Sequence, residues 1–200
     1  MAESGRPRRP LHFGPDAMEA HGGTLPDPAE TAEAAHAAAQ TVIDAGRGDS
    51  SPETTGRLMR LVDDLGIDTL AQLWAGRPAR SLPGALWRVY VLRAWIQRNP
   101  EAAAREYGSG LTVAEVSHVI AGVVDPPGAD EVRELSERIL SGVFDGDLAI
   151  ALERAGAFCR VVATGRAYLD DGDVDAAAAM LGTAEDLEAC ARLWRAGALT

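Results

Sequence analysis

Two stretches of the chain place a carboxylate and an imidazole three residues apart: Glu33 with His36, and Glu115 with His118. On a helix this spacing puts both groups on one face, the arrangement by which helical bundles hold a pair of iron or manganese ions. The flanking residues argue against that chemistry. Val113, Val116, Ile120 and Val123 mark the inner face of the second stretch, and Glu115 and His118 point away from it. Glu33 and His36 fall with Glu30, Gln40 and Asp44 on the polar side of theirs. Ligands have to project into the core, so both pairs are expected on solvated faces, with no metal. Glu115 also completes a capping box that starts at Thr112.

Other chemistry is weaker still. Asp171, Asp173 and Asp175 open like a calcium loop, but Ala176 stands where the sharp turn needs glycine and Gly182 where a bidentate glutamate belongs. Cys159 and Cys190 have no metal-ligand spacing and lie in helical patterns, so they read as small buried hydrophobes in a reducing compartment. The phosphate-cradling and nucleophile-elbow motifs are absent from the sequence. No cofactor is expected. Thr112 to Leu140 has the outline of a helix-turn-helix. Its connection through Pro126, Pro127 and Gly128 is too long, and Asp130, Glu131 and Glu134 give the second helix the wrong charge for a phosphate-lined groove.

What remains is a basic, aromatic-rich region. The 200 residues carry a net charge of −11, which argues against general affinity for nucleic acid or anionic membranes. The charge is uneven: Arg57 to Arg105 has eight arginines against four acids. Within it Arg77, Arg80, Arg88, Arg98 and Arg105 accompany Trp74, Trp87, Trp95 and Tyr107. Arginine beside aromatics is the composition of protein-interface hot spots, and it also suits single-stranded nucleic acid. The competing reading is internal: the arginines pair with the acidic C-terminal half and the tryptophans are core. All nineteen basic residues are arginine, which points to a GC-rich coding sequence, so their number is no argument for phosphate recognition.

The elements that position this region are helices. Leu82 to Arg98 is expected as the central one, with Leu82, Leu86, Val89, Tyr90, Leu92 and Ile96 on one face and Trp87, Val91, Ala94 and Trp95 on the other. Arg93 falls inside the main apolar face. Its charge cannot be relieved by losing a proton, so a carboxylate, Glu153 first, or a set of helix C-terminal carbonyls is expected to hold it; the alternative is that Arg93 lines a pocket for an anionic ligand. Residues 1–28 read as a flexible tail and 29–200 as one domain; no apolar segment follows Arg6, Arg8 and Arg9, so no signal peptide is expected. Asp27-Pro28-Ala29-Glu30 starts an alanine-rich helix to about Ala45. Ser51-Pro52-Glu53 starts a second, with Leu58, Leu61, Val62 and Leu65 inward and Gly66 stopping it. A short helix holds Leu70, Leu73 and Trp74, and another runs from Pro100 to about Tyr107 before a break at Gly108 to Gly110. Further helices span Ala129 to Val143, Asp145 to Leu169 and Asp173 to about Ala196.

The last two form a hairpin that resembles a single tetratricopeptide unit through Gly165, Tyr168, Gly172, Ala177, Leu181 and Ala184, with Ala189 where that repeat has its closing proline. The resemblance implies a tight antiparallel pair with Gly and Ala at the crossing. More loosely, the whole chain is similar to uncharacterised helical proteins of GC-rich bacteria. The expectation is therefore an all-α bundle of about eight to ten helices, a cytoplasmic non-enzymatic adaptor or regulator that binds a protein through Arg77, Arg80, Trp87, Arg88, Arg93, Trp95 and Arg98. A nucleic-acid-binding regulator and a metal-dependent bundle enzyme are the alternatives. No membrane association is expected.

Overall fold

A computed structural model of the chain describes residues 27–49, 51–113, 127–169 and 172–200. Glu115, His118, the capping box's glutamate, Asp171, the connection through Pro126 and the expected tail up to residue 26 lie outside them. Among the described residues there are nine helices and no strand: α1 Pro28–Gly48, α2 Pro52–Met59, α3 Leu61–Leu65, α4 Ile67–Trp74, α5 Leu82–Arg98, α6 Pro100–Val113, α7 Ala129–Asp145, α8 Leu148–Tyr168 and α9 Val174–Arg195. None is long and apolar enough to cross a membrane.

Local chemistry sets most helix starts. Asp27 accepts from the Ala29 amide and Pro28 occupies the first turn. Ser51 accepts from Thr54, Ser81 from Gly84, Asp147 from Ala149 and Asp173 from Ala176. Each cap takes one of the amides that a helix start leaves without an internal partner. Gly66, at φ 81°, adopts the left-handed backbone that separates α3 from α4.

The core is one cluster of buried hydrophobic side chains drawn from every helix except α2, with Val62 the contribution of α3; Leu58 and Met59 of α2 are half-buried against it. Leu82, Leu86, Val89, Tyr90, Leu92 and Ile96 of α5 are all buried, and α5 packs against α1, α4, α6, α7, α8 and α9. Tyr90 lies between Trp74 and Phe144, with ring centroids 6.2 and 6.3 Å away. Their polar ends are satisfied: Trp74 Nε1 donates to the Ala35 carbonyl and Tyr90 Oη to that of Leu58. Trp74 and Tyr107 therefore belong to the core and leave the basic region; Tyr107 stacks on Phe158 at 4.9 Å.

The most extensive contacts are those of α8, against α9 on one side and α6 on the other. Glu153 meets Arg195, Arg160 meets Glu188 and Arg166 meets Ala176, so α8 and α9 run antiparallel, as expected for the C-terminal pair. The crossing residues differ from the expectation. Gly156 sits against Ala184 and Glu188 of α9, whereas Gly165 faces α6. Tyr168 and Leu181 are exposed.

Several boundaries also differ; Asp145 ends α7, and the helix expected to open on it starts at Leu148 behind the Asp147 cap. Gly108 to Gly110 is helical, inside α6, because Gly110 lies where a Cβ would stand 1.9 Å from the Val161 carbonyl oxygen of α8. Gly110 permits close helix approach, and the stretch does not break the helix. The expected helix from Pro52 to Leu65 is two, divided at Arg60; the turn sends Val62 inward and leaves Leu65 52% exposed. The alanine-rich helix continues past Ala45 to Gly48, and Gly46 packs on the backbone of Phe144 in α7.

Candidate functional site

Trp87, Val91 and Trp95 recur every four residues along α5 and so share one stripe of the helix. All three are half-buried. With Ala75, Arg88 and Met180 they border a groove of about 380 Å³ between α5 and α9. The groove is apolar with one cationic edge. Arg88 is held there by Asp186 of α9 at 3.6 Å, and its Nη1 donates to the Gly84 carbonyl at 3.1 Å. The same aspartate takes Arg80 Nε at 3.0 Å. At the other end the Arg166 guanidinium lies 5.3 Å from the centre of the Trp95 ring, within the range of a cation–π contact. Arg166 is in turn bonded to Glu106 at 2.8 Å.

The basic region is thus divided up by its own fold. Trp87, Arg88 and Trp95 come together at the groove. Arg98 is exposed in the last turn of α5, where a cation suits the helix dipole. Arg77 lies on the far side of the connection between α4 and α5 and borders a different groove, as does Arg80. Arg93 is taken up internally: its side chain is 11% exposed, and Nε donates to Glu137 at 2.9 Å while Nη1 reaches Asp63 at 3.3 Å. Gln97 donates to the same Glu137 oxygen.

The expected partner Glu153 is corrected by this geometry. Glu153 binds Arg195 of α9, and the helix lying against the Arg93 side of α5 is α7. The position of Arg93 on its helix fixes the direction of its side chain; which helix lies in that direction is a matter of packing. The carboxylates it meets remain partly hydrated, 32% exposed for Glu137 and 56% for Asp63. Arg93→Leu should therefore cost about 1–2 kcal/mol, below the roughly 3–5 kcal/mol that goes with leaving a partner's charge buried. Urea unfolding checks it: a loss beyond about 3 kcal/mol would mean that the acids are cut off from water.

Neither cysteine is an activated nucleophile. Burial pushes the Cys159 thiol up to about 12 and the Cys190 thiol up to about 11, so both stay protonated near neutrality. No three His, Cys, Asp or Glu gather in a way that could hold a metal among the described residues. Asp173 serves as the cap of α9. His36 departs from the expected solvated face: it is half-buried, and its Nδ1 is enclosed with no hydrogen-bond partner among the described residues. The residues that sequence reasoning left out of the groove are Met180 and Thr183. A lone Met in an alanine-rich helix was the available signal.

No family model matches the chain, and neither does any curated protein or solved structure.

Proposed function

We propose that this chain is a helical protein-binding module, an adaptor or regulator of the cytoplasm, which takes an apolar anchor of a partner protein into the groove of Trp87, Val91, Trp95 and Met180. The observation that carries the reading is that two tryptophans of one helix remain half-open to solvent along one wall of a groove with an arginine at its edge. Tryptophan, methionine and arginine are the side chains enriched where interfaces hold their energy, and a groove of this kind accepts one or two side chains of a docking helix. One wall of the groove is α9, through Met180 and Thr183. Two unpaired, buried cysteines suit a reducing compartment. The nucleic-acid reading has less support, because Arg80, Arg88 and Arg93 spend their charge on Asp186, Glu137 and Asp63.

A photo-crosslinking residue at Val91 should capture one predominant protein partner, and binding of that partner should weaken about tenfold or more in Trp87→Ala while circular dichroism stays native. Equal capture by Trp87→Ala would defeat the proposal. Retention on heparin at about 0.5 M salt would turn attention to nucleic acid.

A further inference from the structure

Two buried side-chain nitrogens lack a hydrogen-bond partner among the described residues, His36 Nδ1 and Arg77 Nε. No other buried side-chain nitrogen or oxygen of those residues is left in that state, and these two border the same groove. The groove is about 500 Å³ and lies between α1 and the connection from α4 to α5. Its size is that of a small-molecule site. Ala32, Pro78 and Pro83 give its lining an apolar part, and Glu33, His36, Arg77 and Arg80 a polar one.

From this we infer that His36, Arg77 and Arg80 form a binding site for a small organic carboxylate, its apolar body against Pro78 and Pro83. Charge makes the case first. Arg77 has no carboxylate partner among the described residues, unlike Arg80, whose Nε is taken by Asp186 while its terminal nitrogens carry no bond. Glu33, exposed on α1, and the terminal carboxylate of Thr200 are the opposing charges at the rim, against the guanidinium groups of Arg77 and Arg80. A guanidinium fork matches a carboxylate with two parallel hydrogen bonds, and an imidazole N–H adds a third. Desolvation makes it second. A buried polar atom without a partner has given up its hydration for nothing, and native proteins rarely leave two such atoms side by side. Neither nitrogen can be touched where it now lies, since both are enclosed. A modest rotation of the ring and of the guanidinium on binding brings them to the ligand. Thr200 also borders the groove; one oxygen of its terminal carboxylate already accepts from the Leu82 amide at 3.1 Å, and Ser81 Oγ is occupied by Pro78 and Gly84. The groups left without a partner, His36 Nδ1 and the Arg77 guanidinium, can serve as hydrogen-bond donors, which calls for an acceptor, and the guanidinium fork favours a carboxylate.

Benzoate and phenylacetate are the probes, with benzamide and phenylacetamide as neutral controls of the same shape. Titrated into the full chain, a carboxylate should shift the His36 imidazole resonances saturably, assigned by their loss in His36→Gln, and raise the melting temperature. The matching amide should bind about tenfold more weakly or worse, and Arg77→Gln should lose a similar factor. A peptide ending in a free phenylalanine carboxylate, against the same peptide amidated, separates a protein terminus from a free acid as the source. The proposal is overturned by no saturable shift up to roughly 20 mM, the range where millimolar affinity becomes visible. It is also overturned by amides that bind as well as acids, or by a folded Arg77→Gln that binds like the parent. Should Arg77→Gln fail to fold, Arg80→Gln and the acid-against-amide comparison in the parent chain decide the matter in its place.

Discussion

Gly165→Val is expected to cost about 3–5 kcal/mol or more, enough to leave much of the protein unfolded at room temperature. A Cβ at Gly165 would stand 1.7 Å from the Glu106 carbonyl oxygen and 2.6 Å from the Gly110 backbone nitrogen. Both are backbone atoms of α6, and no rotamer change can move them away. Gly110 meets α8 in the same way, with its absent Cβ 1.9 Å from the Val161 carbonyl oxygen. The two glycines bring two helix backbones into direct contact, and a side chain at either would drive α6 and α8 apart. The Tyr107–Phe158 stack beside the crossing would part with them. Gly182→Ala is the control: nothing lies within 4 Å of a Cβ there, in the interior of α9. That change should stabilise by roughly 0.5–1 kcal/mol through helix propensity alone. Urea unfolding of both variants checks the argument. A Gly165→Val protein within about 1 kcal/mol of the parent would show that the crossing is looser than these distances require.

Arg166→Leu should cost roughly 3–5 kcal/mol, because it strands Glu106. The two side chains are only 14% and 12% exposed, and Arg166 gives Glu106 both Nε, at 3.1 Å, and Nη2, at 2.8 Å. Nη1 reaches the Ala176 carbonyl of α9 at 3.3 Å, and the guanidinium faces the Trp95 ring. One residue of α8 thus ties together α5, α6 and α9. The double change Arg166→Leu with Glu106→Leu should recover most of the loss, since no charge is then left in a dry site. A double-mutant cycle gives the coupling. Single and double variants of equal stability would contradict a buried pair, and the Trp95 side of the groove would then owe nothing to it. Arg93 offers the contrast within the same molecule. Its acids are about three to five times more exposed than Glu106, and its replacement should be milder.

What the amino-acid sequence determined by itself is what depends on a few consecutive residues. Asp27, Ser51, Ser81, Asp147 and Asp173 start helices because a cap and the amide it binds lie within three residues of each other. The all-α class and the buried face of Leu82–Arg98 follow from a period of 3.6, which needs no knowledge of the neighbours. Tertiary structure decided everything that depends on which helix stands opposite. Gly108-Ser109-Gly110 reads as a break by propensity, yet it is helical because α8 comes close enough for Gly110 to be needed there. Arg93 announced a carboxylate partner by its place on an apolar face, but only packing put α7 beside it and Glu137 in reach. Trp74 and Trp87 look alike in sequence; one is enclosed by α1 and α5, while the other is left at the open edge of α9. His36 falls on the polar side of α1, and the loop that encloses it begins forty residues later, at Gly76 and Arg77. Periodicity and capping are properties of a segment, whereas burial, partner and groove are properties of a pair of segments, and the pairing is set by the packing of the whole core.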